Sequence, residues 1–559
     1  MPADNPDLGP ASLVVAITGH RDLDERDPWY EAQVCDIFRD LHKQYRHTPL
    51  LLLSGLAIGG DRIAVRAALA ESVPYIAVLP MPAASYRQDF VDEDSDAQFE
   101  KLLKSALRII ELPFDPSVSR DGHYENLGRF LVQYSQILIA IWDENRAAKS
   151  GGTTHVVAMK LREDSPAGRL AFIHMNSNGA GPVYVIPVRK SGVDSTLALK
   201  REIRYPESSL PEEYKASYNL LARFNTDVVK AVTAGRYFPR AVIKSRANLF
   251  AGEEAIGVSG AMEWVAQLYA QADALAIHFS RVSLGLWKAI FILLALSGIS
   301  LALLHVLSPR GNLGTAITLA AYYAFLLSAA GLIVWEWLAK RRGRHEDYRS
   351  LAEALRVQFF WMAAGLPDLA AEQYLRKQAG EMVWIRDAIS ECGLYEGVLD
   401  RSPAARDDLP LRLRLAHNWI VNQANYFAQT RHSHELKKNI LTVFAWFAAA
   451  VGLVAPLFGL HEGYETLAHA VAAPALWLSA LAWNYMERRG YEQEARQYAR
   501  MYLLFHDADE DLKRFEREKN LDAAEETIRK LGCEALTETG DWLSMHRERK
   551  LSVHMAAGG

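Results

Sequence analysis

The chain has 559 residues, too many for one ordinary globular domain, so about three or four structural units are expected. Acidic residues outnumber basic ones, 67 to 62, and the formal net charge of -5 excludes a globally basic nucleic-acid binder, so no nucleic-acid partner is expected. The three cysteines (Cys35, Cys392, Cys533) lie far apart with no CxxC or Cys/His ligand spacing, which argues against a disulfide framework or a metal site and makes a reducing compartment the default.

Residues 1–12 are polar and carry Pro2, Pro6 and Pro10, the pattern of a frayed, disordered tail. The apolar stretch after it, Leu13 to Ile17, is too short for a signal-peptide core and reads as a buried strand. Over 13–190 short apolar runs alternate with helix-like segments. The runs are 13–18, 49–54, 75–80, 108–112, 137–142 and 183–188, and the helical segments 29–46, 61–72, 96–106, 123–135 and 153–161. Continuous apolar strands separated by helices predict an α/β doubly wound, Rossmann-like domain with a parallel sheet covered on both faces.

Ligands in such sheets bind beyond the carboxyl ends of the strands. There the sequence places Thr18-Gly19-His20-Arg21, then Ser54-Gly55-Leu56 with Gly59-Gly60-Asp61 opening a helix, then Asp143, and after a polar loop Gly151-Gly152-Thr153-Thr154. Glycines let the backbone approach an anion, and a following helix N-terminus supplies N–H groups and the positive end of its dipole. Hydroxyls of Thr18, Ser54, Thr153 and Thr154 are candidate donors, and Asp143 stands where a ribose hydroxyl or base edge is read. Neither glycine cluster is a Walker A or a full GxGxxG motif. The expected ligand is a nucleotide-like small molecule. His20 and His155 are equally readable as ligand contacts or as structural groups, and Asp61 as a favourable first-turn acid.

The segments TGHRD, SGLAIGGDRIAVRAAL and ILIAIWDE with its following GGTT resemble the SLOG superfamily, which includes DprA and the LOG phosphoribohydrolases. The resemblance implies binding of a nucleotide or nucleotide-derived ligand at these strand ends. LOG enzymes carry GGxGTxxE with a catalytic Glu. Here the central xG is missing after Gly151-Gly152 and a valine falls in the acid's place, so no catalytic residue or bound cofactor is expected and the domain reads as a ligand sensor.

Residues 191–263 read as a helical connector, with a helix from about 211 to 234. Beyond it, 289–307, 316–335, 440–460 and 468–486 contain no Asp, Glu, Lys or Arg, and each is long enough to cross a bilayer core. Basic residues cluster at Lys340–Arg344, Lys437–Lys438 and Arg488–Arg489, whereas loops 308–315 and 461–467 carry one Arg and none. The positive-inside rule therefore predicts both loops outside and both termini in the cytoplasm. Arg341-Arg342-Gly343 matches Arg488-Arg489-Gly490, and Arg349 and Ala352 match Arg496 and Ala499 in the same register, which predicts two copies of one unit over 264–400 and 401–559. Each span pair leads into an amphipathic helix, 344–364 or 490–515. Small residues such as Ala448, Ala449 and Gly452 permit close helix packing in a homo-oligomer, and Ser297, Ser300, His305, Thr318 and Ser328 are candidates to line a pore or to bond within their helices.

YRSLAEALRVQFFWMAAG, WIVNQANYF and LGCEALTETGDWLSMHRER resemble the SLATT superfamily of bacterial conflict systems, here duplicated. That resemblance implies perforation of the bacterial inner (cell) membrane when a nucleotide sensor is activated, in antiviral defence. The competing expectation is a membrane-tethered nucleotide N-glycosidase or nucleoside transferase using Asp61, Asp143 and Glu144.

Overall fold

A computed structural model describes residues 7–90, 93–147, 149–162, 179–189, 201–207, 210–250, 260–307, 313–339, 341–373, 383–395, 409–460 and 463–548. The first part is built on strands β1 (Leu13–Gly19), β2 (Leu50–Ser54), β3 (Tyr75–Leu79), β4 (Arg108–Glu111), β5 (Ile137–Trp142), β6 (Val183–Pro187) and β7 (Glu202–Arg204). They form one sheet in the order β4-β3-β2-β1-β5-β6-β7, parallel except where β7 pairs antiparallel with β6. Every residue of β2, β3 and β5 is buried, because helices cover both faces of a doubly wound sheet. The crossovers are α1 (Pro28–Gln44), α2 (Gly60–Ala70), α3 (Ala83–Tyr86) with α4 (Glu93–Ser105), α5 (Arg120–Tyr134) and α6 (Thr153–Leu161). Helix α1 starts at a capping Asp27, whose carboxylate accepts from the Trp29 N–H, with Pro28 at the first helical position.

Two expectations need correction. Residues 7–12 of the expected tail are built into the fold. Ala11 and Ser12 are buried, the Gly9 N–H donates to the His47 carbonyl at 2.8 Å, and the Asn225 amide both accepts from the Ala11 N–H (3.1 Å) and donates to the Ala11 carbonyl (2.8 Å). Residues 1–6 lie outside the described residues. The segment read as a connector supplies β7 to the sheet, then α7 (Pro211–Thr233) and α8 (Tyr237–Phe250), whose Phe224, Leu249 and Phe250 belong to one hydrophobic core continuous with the sheet and with the helices that follow.

The second part is helical: α9 (Gly260–Leu307), α10 (Leu313–Ala339), α11 (Arg341–Ala363), α12 (Ala370–Gln373), α13 (Val383–Ser390), α14 (Leu409–Phe458), α15 (Glu465–Arg489), α16 (Tyr491–Glu518) and α17 (Leu521–Glu548). The expected spans are parts of longer helices. Helix α9 has 48 residues, so at 1.5 Å per residue it runs for about 70 Å, and its last part is the apolar run 289–307. Among the described residues four helices are long and apolar enough to cross a membrane, and only 6% of the apolar window of α10 is buried. Leu313, Leu327, Val443, Phe447, Leu453 and Phe458 are each at least 67% exposed, an apolar surface that water does not tolerate at this extent and a bilayer does.

Helix α9 packs on α10 and α11 as α14 packs on α15 and α16. The two glycines matched in sequence differ in place: Gly490 stands between α15 and α16 with φ +61°, while Gly343 lies inside α11. Between the two helix pairs, Trp477 Nε1 donates to the Leu294 carbonyl at 2.8 Å, and a Cβ on Gly298 would fall 2.1 Å from Trp477 Cδ1. Gly298→Leu should therefore push α9 from α15 and cost about 1–3 kcal/mol, read as a lower unfolding midpoint of the detergent-solubilised protein. Two candidate pore-lining hydroxyls are turned to their own helix, Ser297 to the Leu294 carbonyl and Thr318 to the Gly314 carbonyl, both at 2.8 Å.

Candidate functional site

Strands β1 and β5 are neighbours, and the chain winds away from them in opposite directions, so their carboxyl ends flank the switch-point crevice. Since β2, β1 and β5 are adjacent, the loops carrying Thr18–Arg21, Ser54–Asp61, Asp143 and Gly151–Thr154 share one edge of the sheet. They are also tied together. The Asp143 N–H donates to His20 Nε2 at 3.0 Å, the Gly60 N–H to the His20 carbonyl at 3.2 Å, and Trp142 Nε1 to Thr154 Oγ1 at 3.0 Å.

This convergence depends on glycine. Gly19 and Gly60 approach so closely that a Cβ on Gly60 would lie 2.6 Å from the Gly19 Cα. Gly59 has φ +87°, and its Cβ would lie 2.3 Å from the His20 carbonyl oxygen. Backbone meets backbone at both places, so no side-chain rotation relieves the contact.

The two helix starts differ in what they offer an anion. At α2 the Gly59 N–H donates to Glu25 Oε1 (2.8 Å) and the Gly60 N–H to His20, so the expected cradle there is already engaged by the protein. Ser54 is fully buried, and its hydroxyl accepts from the Leu56 N–H at 3.1 Å; Leu56, also fully buried, has φ +55°. Both residues build the turn. The Gly55 carbonyl accepts from the Tyr86 hydroxyl at 3.1 Å. Asp61 is buried in the first turn of α2, and burial raises its carboxyl to about 7 against the N–H groups of Ala57 and Gly55 that favour the charged form.

Helix α6 begins at Gly152 with no side-chain cap and no acid in its first turn, where Thr153 and Thr154 stand. Gly151, with φ +71°, donates its N–H to His155 Nδ1 (3.1 Å), and the Gly152 N–H donates to the Lys149 carbonyl (2.9 Å). His155 thus shapes this loop. Of the two starts, α6 is the one whose dipole end is unopposed by a first-turn carboxylate.

Around the crevice, burial and the Arg146 charge lower the pKa of His20, which is consistent with a neutral ring accepting at Nε2. The Asp143 carboxylate accepts from the Asn145 N–H at 3.1 Å and so holds its own loop. Arg146 grips Asp22 with two bonds of 2.8 and 2.7 Å. Arg21 lies over the Tyr124 ring, 4.7 Å from its centroid, and 3.7 Å from Asp89. Glu25, Tyr124 and Arg146 were not singled out by sequence. They sit in no glycine motif, and only the polarity of the 143–150 loop pointed toward Arg146. Among the described residues no group of three His, Cys, Asp or Glu is placed to hold a metal ion. No family model matches the chain, and no curated protein matches it.

Proposed function

We propose that the chain is a ligand-gated membrane effector: a nucleotide-derived signal binds the switch-point crevice and drives the four-span unit toward a pore or a disruptive assembly. The reading takes the first part as a SLOG-like sensor and the second as a duplicated SLATT-like unit, acting as a homo-oligomer in the bacterial cell membrane with both termini cytoplasmic, in antiviral defence. One observation carries it. Ser12, the residue before β1, donates from its N–H to Glu391 Oε2 (2.8 Å) and from its hydroxyl to Glu391 Oε1 (2.7 Å), so the crevice strand and the helical part are joined through a buried contact. Further links run from Arg108 to the Leu394 carbonyl, from Arg223 to Asp347 (2.6 Å) and from Tyr348 to Asp227 (2.6 Å). A ligand with different affinity for two arrangements of this core shifts the balance between them.

Binding is tested with the full chain in detergent, titrated with ADP-ribose, AMP and cyclic dinucleotides and followed by its unfolding midpoint. At least one should raise the midpoint, and Gly152→Leu, which loads the start of α6, should remove that rise. A flat response to every ligand, or an undiminished response in Gly152→Leu, overturns the placement.

The enzymatic reading is favoured by one observation, the buried Asp61, whose carboxyl at about 7 suits proton transfer near neutrality. Release of free base from nucleotides by the full chain, lost in Asp61→Asn, would decide for it.

A further inference from the structure

We infer that a chamber between the two helical repeats is a second binding site, for a phosphate-bearing molecule with an apolar or aromatic body. The chamber has a volume of about 500 Å³ and is walled by α9, α11, α14, the end of α15, α16 and α17. Ligand pockets commonly span roughly 300–1,000 Å³. It sits where α9 and α14 enter their apolar runs, with Trp287, Phe291 and Tyr485 at that end.

The lining has the chemistry for an anion. Arg281, Arg349, Arg356, Arg488 and Arg489 line the chamber together with Glu346, Glu353, Glu494 and Glu538. Glu353 pairs with both Arg349 and Arg356, and Glu494 lies 3.2 Å from His434, whose pKa burial lowers. Glu538 is held above its ordinary pKa by burial, which favours its neutral form. The Arg488 guanidinium lies over Trp287, 3.2 Å from the ring centroid.

Independent of charge, polar atoms in this wall lack partners. Trp419 is 4% exposed, yet its indole Nε1–H has no hydrogen-bond partner among the described residues, and the same holds for the Arg489 Nε. Buried donors without acceptors are costly, but both are closed off from the open space of the chamber, so a phosphate oxygen reaches them only when the wall shifts to admit it. Gln497, 7% exposed, adds an Oε1 acceptor without a partner, closed off in the same way. The shared feature is the phosphate group; a phospholipid headgroup entering at the Trp287 end and a soluble nucleotide both supply it. An occupant touching α9, α11, α14 and α16 at once contacts both repeats, so it stabilises one arrangement of the two hairpins.

The test uses the full chain in detergent with AMP, dihexanoyl-phosphatidylglycerol and, as a phosphate-free control, dihexanoylglycerol. At least one phosphate probe should raise the unfolding midpoint and the control should not; the responding probe identifies the source. Trp419→Phe keeps an aromatic ring to stack on Phe360 while removing the donor together with part of the indole, and Arg489→Gln removes the charge. Each should weaken apparent affinity about tenfold, the scale of one lost buried hydrogen bond, while Gly152→Leu should leave it unchanged. The inference fails if neither phosphate probe shifts the midpoint, if the control shifts it equally, if both variants bind normally, or if Gly152→Leu abolishes the response. That last outcome would assign the binding to the crevice instead.

Discussion

Gly60→Val is expected to lower the stability of the α/β domain by about 3 kcal/mol or more, the upper part of the range for overpacking. Even the first carbon of the new side chain would stand 2.6 Å from the Gly19 Cα, and valine adds two methyls beyond it. Relief would require α2 to leave β1, which breaks the 3.2 Å bond from the Gly60 N–H to His20 and loosens the bond from Asp143 to His20. The crevice and the stability of its domain should therefore fail together. Gly152→Ala is the matched control: φ there is -81°, and the new Cβ meets Lys149, at 3.1 Å from its carbonyl oxygen and 3.6 Å from its Cβ. Its cost should stay under about 1 kcal/mol. Thermal unfolding of both variants in one detergent separates the outcomes; equal midpoints would show that the Gly19–Gly60 approach does not constrain the fold.

Substitution of Glu391 should have a pH-dependent effect. Burial raises its carboxyl to about 7 despite the two bonds from Ser12 that favour the charged form. A carboxyl whose folded pKa lies above its unfolded value binds more protons folded than unfolded, so its contribution is most favourable below the ordinary carboxylate range and declines as pH rises toward 7. Asp61, raised to about 7, and Asp387, raised to about 6, act in the same direction. Lys160, fully buried and lowered by desolvation to about 7, acts oppositely above neutrality: its cost is complete below about 7 and fades as pH approaches its ordinary value. Glu391→Gln retains an acceptor for the Ser12 N–H and offers a donor to its hydroxyl without carrying charge. It should be more stable than the parent at pH 8, by roughly 1–3 kcal/mol, with the advantage gone at pH 4. Glu391→Ala leaves the buried Ser12 N–H without an acceptor and should destabilise by about 1–3 kcal/mol at pH 4, and by less at pH 8, where it also removes the buried charge. A Gln variant no more stable than the parent at pH 8 would mean that burial does not raise the Glu391 carboxyl.

Six of the seven strands were legible because a parallel sheet buried on both faces demands uninterrupted apolar runs, and LLLLS, YIAVL and ILIAIW are such runs. The seventh, Glu202–Arg204, has three residues, two of them charged, and exists through its pairing with β6. Residues 7–12 were misread for a related reason. Their order comes from Asn225 and Glu391, more than 200 residues away, and no local pattern encodes such partners. The apolar runs of the four spans were plain, but the helices that extend them toward the α/β domain mix polar and apolar positions and were read only in part. At the crevice, the strand-end rule located the loops correctly. It did not show that Ser54 and Leu56 build the turn or that the Gly59 N–H is already taken, because both depend on where Glu25 and the Leu56 N–H direct their bonds.

The central claim is that a ligand at the crevice opens a path through the bilayer. Its most direct test is release of a self-quenched dye from liposomes reconstituted with the full chain, challenged with the same panel of ADP-ribose, AMP and cyclic dinucleotides. The account predicts rapid release with at least one ligand and none without, and loss of that release in Gly152→Leu with the protein still inserted in the membrane. Folded, inserted protein that releases no dye with any of these ligands, or that leaks equally with and without them, would contradict it.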